Sequence, residues 1–174
     1  ASWNWDGYEG TPLTITAYSS CERVELFLNG KSLGSRTTNR DSRFMATWSV
    51  PYQAGTLKVV GYTGKKSITT AELKTAGEAV RIRLTPDRSE LKADNADLCY
   101  VTVELTDANG VRHPGADNLV QFEVEGPATL VATGNANPVS LESYTQPQRR
   151  AWQGRCLAII KTTGTPGKIV VKAT

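Results

Sequence analysis

The stretch Val24-Glu25-Leu26-Phe27-Leu28-Asn29-Gly30-Lys31-Ser32-Leu33-Gly34 decides how the rest of the chain is read. Val24, Leu26 and Leu28 alternate with Glu25 and Phe27, the two-residue period of a strand with one face toward a core. Asn29-Gly30 then supplies the two residues that most readily take positive φ, which predicts a two-residue type I′ turn. With that turn Leu28 faces Lys31 and Leu26 faces Leu33. Two leucines then share one face, and Lys31 lays its stem over Leu28 while its charge stays in water. The hairpin contains no catalytic group.

Working outward, similar alternating runs recur between Gly, Pro, Asn and Asp. They fall at 13–19, 24–28, 44–50, 55–63, 66–75, 80–87, 99–107, 120–126, 129–134, 156–163 and 168–174. No amphipathic helix interrupts them. Cys99, Val101, Val103 and Leu105 alternate with Tyr100, Thr102 and Glu104; Val120, Phe122 and Val124 alternate with Gln121, Glu123 and Glu125. Val80, Ile82 and Leu84 likewise alternate with Arg81 and Arg83. Hydrophobic-in, polar-out runs of this size predict an all-β chain of antiparallel sandwiches. Eleven strands exceed one seven-stranded sandwich, so the expectation is two tandem immunoglobulin-like domains, residues 1–76 and 77–174, with the seam at Thr75-Ala76-Gly77-Glu78.

Composition narrows the function. Charged residues make up 21% and the net charge is only +3. Through Ala76 there are nine Lys+Arg against six Asp+Glu, and eleven against eleven afterwards. The cations are scattered over strands and form no stripe, which argues against nucleic acid. No apolar run reaches the roughly 20 residues that span a bilayer, so a membrane partner is not expected. Residue 1 is Ala and the only Met is Met45, within a strand-like run, which suggests a piece excised from a longer polypeptide. Cys21, Cys99 and Cys156 lack the spacing of a zinc site and read as small buried hydrophobes. A Cys99–Cys156 disulfide would need Cα atoms within about 7 Å.

Groups able to do chemistry are few. His113, the single histidine, lies in the turn-like Asn109-Gly110-Val111-Arg112-His113-Pro114-Gly115 with no nucleophile or acid beside it. Two carboxylates would suffice for glycoside hydrolysis, and Glu142, Asp94 and Asp97 are the candidates. Nothing in their spacing sets two across a cleft, and Asx-turn capping accounts for Asp94 and Asp97. No catalytic residue, metal ligand or cofactor site is therefore assigned. Among the aromatics, Trp48 and Trp152 read first as core rings. A sugar-binding surface would instead expose Tyr144, Arg149, Arg150 and Trp152, with carbohydrate as the ligand. Trp3 and Trp5 flank Asn4 and share a face if the segment is extended, an apolar patch of the kind that marks an interface with another domain.

A resemblance adds to this. Trp3-Asn4-Trp5-Asp6-Gly7-Tyr8-Glu9-Gly10, the run from Ala17 to Gly34, Trp48–Tyr62 and Thr75–Arg88 together resemble the region after the catalytic barrel in glycoside hydrolase family 2 proteins of the β-galactosidase type. The runs at 93–110, 134–144 and 149–160 are similar to the last sandwich domain of the same proteins. Ser2 stands where that family commonly has His. The resemblance implies that the catalytic Glu pair lies in an upstream barrel of the same polypeptide, the natural partner of Trp3 and Trp5. It implies an inactive accessory segment of a parent found in the bacterial periplasm or outside the cell. Two other readings are a carbohydrate-binding module and a cell-surface adhesion segment of tandem immunoglobulin-like domains.

Overall fold

In the computed structural model, which describes residues 1–174, Asn29 and Gly30 have φ of 51° and 81°, the positive values a type I′ turn needs. The turn joins β2 (Arg23–Leu28) to β3 (Lys31–Thr37), and Leu28 pairs with Lys31 as the sequence predicts. The next expectation fails. The register runs Phe27↔Ser32 and then Glu25↔Ser35, so β3 carries an extra residue opposite Leu26 and the Leu26–Leu33 pair is replaced by a bulge. Gly34, at φ 93°, absorbs the kink, and Leu33 still packs against the same core as Leu26.

Asn29 does more than turn the chain. Its side-chain oxygen accepts from the Thr56 amide at 2.8 Å and its side-chain nitrogen donates to the Ala54 carbonyl at 3.0 Å. That clamp brings Gly55 so close that a Cβ there would sit 1.9 Å from the Asn29 carboxamide oxygen, at a φ of 134°. Only glycine fits such an approach.

The chain divides into two compact units, Ala1–Thr75 and Ala76–Thr174. In the first, β1 (Pro12–Tyr18) pairs antiparallel with β4 (Met45–Pro51). A second sheet has the order β3-β2-β5-β6, with β5 (Thr56–Thr63) and β6 (Lys66–Lys74). Val24, Leu26 and Leu28 from β2 meet Ala46, Trp48 and Val50 from β4 in one core, which Leu57, Tyr52 and Trp3 complete. Alternation thus decides which face is buried, as expected for sheets packed face to face.

The second unit stacks a four-stranded sheet, β10-β12-β8-β7, on the antiparallel trio β11-β9-β13. The strands are β7 (Arg81–Pro86), β8 (Leu98–Thr106), β9 (Leu119–Glu125), β10 (Ala128–Gly134), β11 (Gln148–Arg150), β12 (Arg155–Thr162) and β13 (Val170–Ala173). Val101, Val103 and Leu105 pack with Val120, Phe122, Ala158 and Ile160. The row Val80, Ile82 and Leu84, which leads into and along β7, is less covered than its alternation implies: Val80, just before the strand, and Ile82 are exposed and only Leu84 joins the core. The cause is topological, because β7 is an edge strand. The chain has thirteen strands, not eleven; β3 and the three-residue β11 lack apolar alternation.

All three cysteines are buried and unbridged. Cys156 pairs with Val103, four residues along β8 from Cys99, a separation of about 13 Å at about 3.3 Å per residue, too far for a disulfide. Burial pushes the Cys156 thiol up to about 12, which leaves it inert as a nucleophile at neutral pH.

Candidate functional site

The amino-terminal aromatics take opposite fates. Trp3 is 1% exposed; its indole N–H donates to the Gln53 carbonyl at 2.9 Å, and its ring meets Tyr52 edge-on at 5.1 Å. Its carbonyl accepts from the Thr75 hydroxyl at 2.5 Å. Trp5 is 43% exposed and pairs edge-on with exposed Tyr8 at 5.9 Å. The expectation that both rings form one exposed patch is therefore corrected. The chain reverses just after Trp5: the Tyr8 amide donates to the Trp5 carbonyl at 3.1 Å, and Gly7 sits at φ 81°. A turn breaks the period of two that would align the rings. Trp3 belongs to the first core, and the exposed aromatic pair is Trp5 with Tyr8.

The proposed sugar-contact group also changes. Arg149 faces inward on β11 and its side chain is 1% exposed. One guanidinium nitrogen donates to the carbonyls of Thr133 at 2.8 Å and Ser143 at 3.1 Å, the other lies 3.6 Å from the Glu142 carboxylate, and the Tyr144 ring covers it at 4.9 Å. Arg149 is thus a structural cross-link and not a ligand contact, because inward residues of a strand cannot reach solvent. Arg150 faces outward, donating to the Asp117 carbonyl at 3.0 Å. Tyr144 is exposed with one face taken by Arg149. Trp152 is 38% exposed and so is not a core ring, whereas Trp48 is buried.

The carboxylates singled out by sequence are occupied by backbone. Asp94 accepts from the amides of Ala96 and Asp97 at 2.9 and 2.8 Å, an Asx-type turn. Asp97 accepts from the Lys92 amide at 2.9 Å. Glu142 accepts from the Arg150 amide at 3.0 Å and the Ser140 hydroxyl at 3.1 Å. Burial would raise the Glu142 carboxyl, but those hydrogen bonds and the charges of Arg149 and Arg150 outweigh it and hold it below its ordinary value. The backbone amides of Asp97 and Ala96 lower Asp94. A general acid for glycoside cleavage needs the opposite shift. His113 accepts at Nδ1 from the Gly115 amide at 3.1 Å, closing its own turn.

A cavity of about 630 Å³ opens between β7 and β13. Leu84, Val101, Ile160, Ile169 and Val171 line it, with Arg88 and Glu90 among its polar groups. Its aliphatic walls offer no ring for a sugar to stack on.

The most heavily charged place was not singled out from sequence. Glu104, a residue 9% exposed, sits between Arg83 and Arg155, its register partners on β7 and β12. Burial opposes its charge, but the two guanidinium forks and their charges lower its carboxyl overall. The alternation of β7 and β8 assigns Arg83 and Glu104 to outer faces; only the register reveals that these residues and Arg155 are neighbours.

An all-β pair of antiparallel sandwiches, whose notable acids cap turns or hold arginines, is the class of protein this chain represents. Residues 82–174 match the family model for the glycoside hydrolase family 2 C-terminal domain 5, and residues 10–69 match a domain of unknown function, DUF4982. The chain belongs to the glycoside hydrolase family 2 C-terminal domains. It is 43% identical over 173 residues to the β-galactosidase BoGH2A of Bacteroides ovatus, covering 99% of this chain and 20% of that protein. A putative β-glucuronidase of Formosa agariphila is 30% identical over 144 residues, covering 82% of this chain and 14% of the relative. The crystal structure of a glycosyl hydrolase family 2 member from Bacteroides cellulosilyticus superposes with a TM-score of 0.94 at 44% identity, over 99% of this chain and 24% of that one. The chain thus spans about a fifth or less of the curated relatives it matches.

Proposed function

We propose that this chain is a non-catalytic accessory segment of a β-galactosidase-type family 2 enzyme, which supports an upstream catalytic barrel and shapes access to its cleft. The observation that carries this reading is the split between Trp3 and Trp5. Trp3 ties the incoming segment to the first core, while Trp5 and Tyr8, on the same short segment, pack edge-on against each other and leave two half-exposed rings on the surface. Rigid aromatic side chains of this kind are favoured anchors of interfaces. The similarity to a named β-galactosidase along nearly the whole chain supports the enzyme class. The depressed Glu142 and Asp94 support an inactive segment.

Two measurements test this. The purified chain is expected to leave chromogenic β-galactosides, β-glucuronides and β-mannosides intact; turnover abolished by Glu142→Gln would overturn the non-catalytic reading. In the parent enzyme, Trp5→Ala with Tyr8→Ala is expected to lower thermal stability more than the same pair does in this chain. Equal shifts in both would remove the interface with the barrel.

A further inference from the structure

The outer face around β8 carries an excess of positive charge that the fold does not neutralise. Arg83 donates from Nε and Nη2 to one Glu104 oxygen at 3.1 and 2.6 Å. Arg155 donates from Nε and Nη2 to the other at 2.8 and 2.7 Å. Arg112 Nε stands 3.9 Å from that second oxygen. Three guanidiniums therefore face one carboxylate. Arg83 Nη1 is used by the Gly110 carbonyl and Arg112 Nη1 by the Gln153 carbonyl. Arg155 Nη1 and Arg112 Nη2 have no partner in the chain. Asp107, three residues beyond Glu104, is turned onto the amides of Gly77, Asn109 and Val111 and does not offset the excess. The Arg155 side chain is 58% exposed, so its unused N–H groups meet solvent.

An aromatic ring stands beside this charge. Trp152 and Arg155 exchange backbone hydrogen bonds of 2.7 and 3.1 Å across a tight turn, with Gln153 and Gly154 at φ 51° and 73°. Residues paired across such a turn project to the same face. The indole is therefore on the arginine side, and no guanidinium covers it; the cation–π contacts of the chain involve Tyr62, Trp48 and Tyr144.

We propose that Trp152, Arg155 and Arg112, with Arg83 and Glu104 holding the guanidiniums in place, form a binding site for an anionic sugar, a ring bearing a carboxylate or a sulfate ester. The apolar C–H face of the pyranose lies on the indole, and the anionic substituent takes the free N–H groups of Arg155 and Arg112. Glu104 keeps the Arg155 guanidinium from folding away, and the two further guanidiniums outweigh its repulsion of an incoming anion. Guanidinium suits this ligand better than ammonium because its planar fork matches a carboxylate or sulfate oxygen pair. This deepens the carbohydrate-binding alternative by naming a ligand class, and it does not depend on the support role proposed above.

The test is titration calorimetry of the 174-residue chain at low ionic strength with oligogalacturonate, a sulfated dextran oligomer and a neutral maltooligosaccharide. Binding of either anionic oligomer, with none of the neutral one, is the expected result, and the preferred anion distinguishes carboxylate from sulfate ester. Arg155→Gln and Trp152→Ala should each weaken binding about tenfold or more, the effect of one charged hydrogen bond or one stacking face. Trp152→Phe keeps an aromatic face and should stay within about threefold of the original. Lys65→Gln, which removes a charge from the first unit, should leave affinity unchanged. Absence of heat with both anions overturns the proposal, as does equal weakening by Lys65→Gln, which would signify net charge alone. Either failure leaves the accessory role standing.

Discussion

The two sandwiches are held together by different chemistry. The first is closed by aromatic burial: Trp3, Trp48 and Tyr52 fill the space between its sheets, and its opening segment is threaded into the core. The second has no buried tryptophan; its core is aliphatic with Phe122 as the one aromatic ring. It relies in addition on two polar cross-links, Arg149 among carbonyls and Glu104 among arginines. An apolar core tolerates pH and salt, whereas a buried ion depends on every partner being present. The difference predicts that the two units fail by different routes.

The sharpest way to break that contrast is Trp3→Ala. Loss of a fully buried indole costs about 4 kcal/mol, enough to unfold the first unit in urea while the second keeps its transition. Coincident loss of both would make the chain one cooperative unit. Next comes Arg149→Met, which preserves volume and removes the donors to Thr133 and Ser143; about 3 kcal/mol should be lost from the second unit alone. A smaller loss would mean water replaces the guanidinium.

Glu104→Gln should destabilise the second unit by about 1–2 kcal/mol at neutral pH, the exposed ends of Arg83 and Arg155 keeping the figure low. The same chemistry sets a pH dependence. In the second unit Asp87, Asp94, Glu104, Asp107 and Glu142 all lie below their ordinary values of 3.8 for Asp and 4.5 for Glu. A depressed carboxyl contributes stability that is fully present above its unfolded pKa and lost as pH falls through the lower folded one. Thermal melts taken downward from pH 5 should therefore show the second unit weakening, with Glu104→Gln flattening the slope. A first unit that melts ahead of it in acid would contradict the comparison.

The smallest effects sit at the edges of the first unit. Gly30→Val meets open space but must hold φ 81°, a strain of about 1–2 kcal/mol, read as a lower urea midpoint for that unit only. Trp5→Ala in this chain should cost about 1–2 kcal/mol, less than Trp3→Ala, because its ring is about half exposed. A loss as large as that of Trp3→Ala would place both rings in the core after all.

What the sequence determined by itself was local. Alternation marked eleven of the thirteen strands and most of their buried faces, and Asn29-Gly30 set a turn with its flanking pair. Asp94 was legible as a turn cap because that interaction spans three residues. Each of these depends on neighbours within one strand or one turn. Tertiary structure decided the rest. Whether Trp5 follows Trp3 inward depends on a chain reversal stabilised by the Tyr8 amide and by Tyr52, whose hydroxyl accepts from the Trp5 amide at 3.2 Å. Whether Arg149 meets solvent depends on the short β11 pairing with β9, Arg149 opposite Val120. The triad Arg83, Glu104 and Arg155 joins positions from three strands whose relative register is set by the packing of their opposite, apolar faces. A one-residue slip would disperse the charges, so the site is a consequence of the core, and no spacing along the chain announces it.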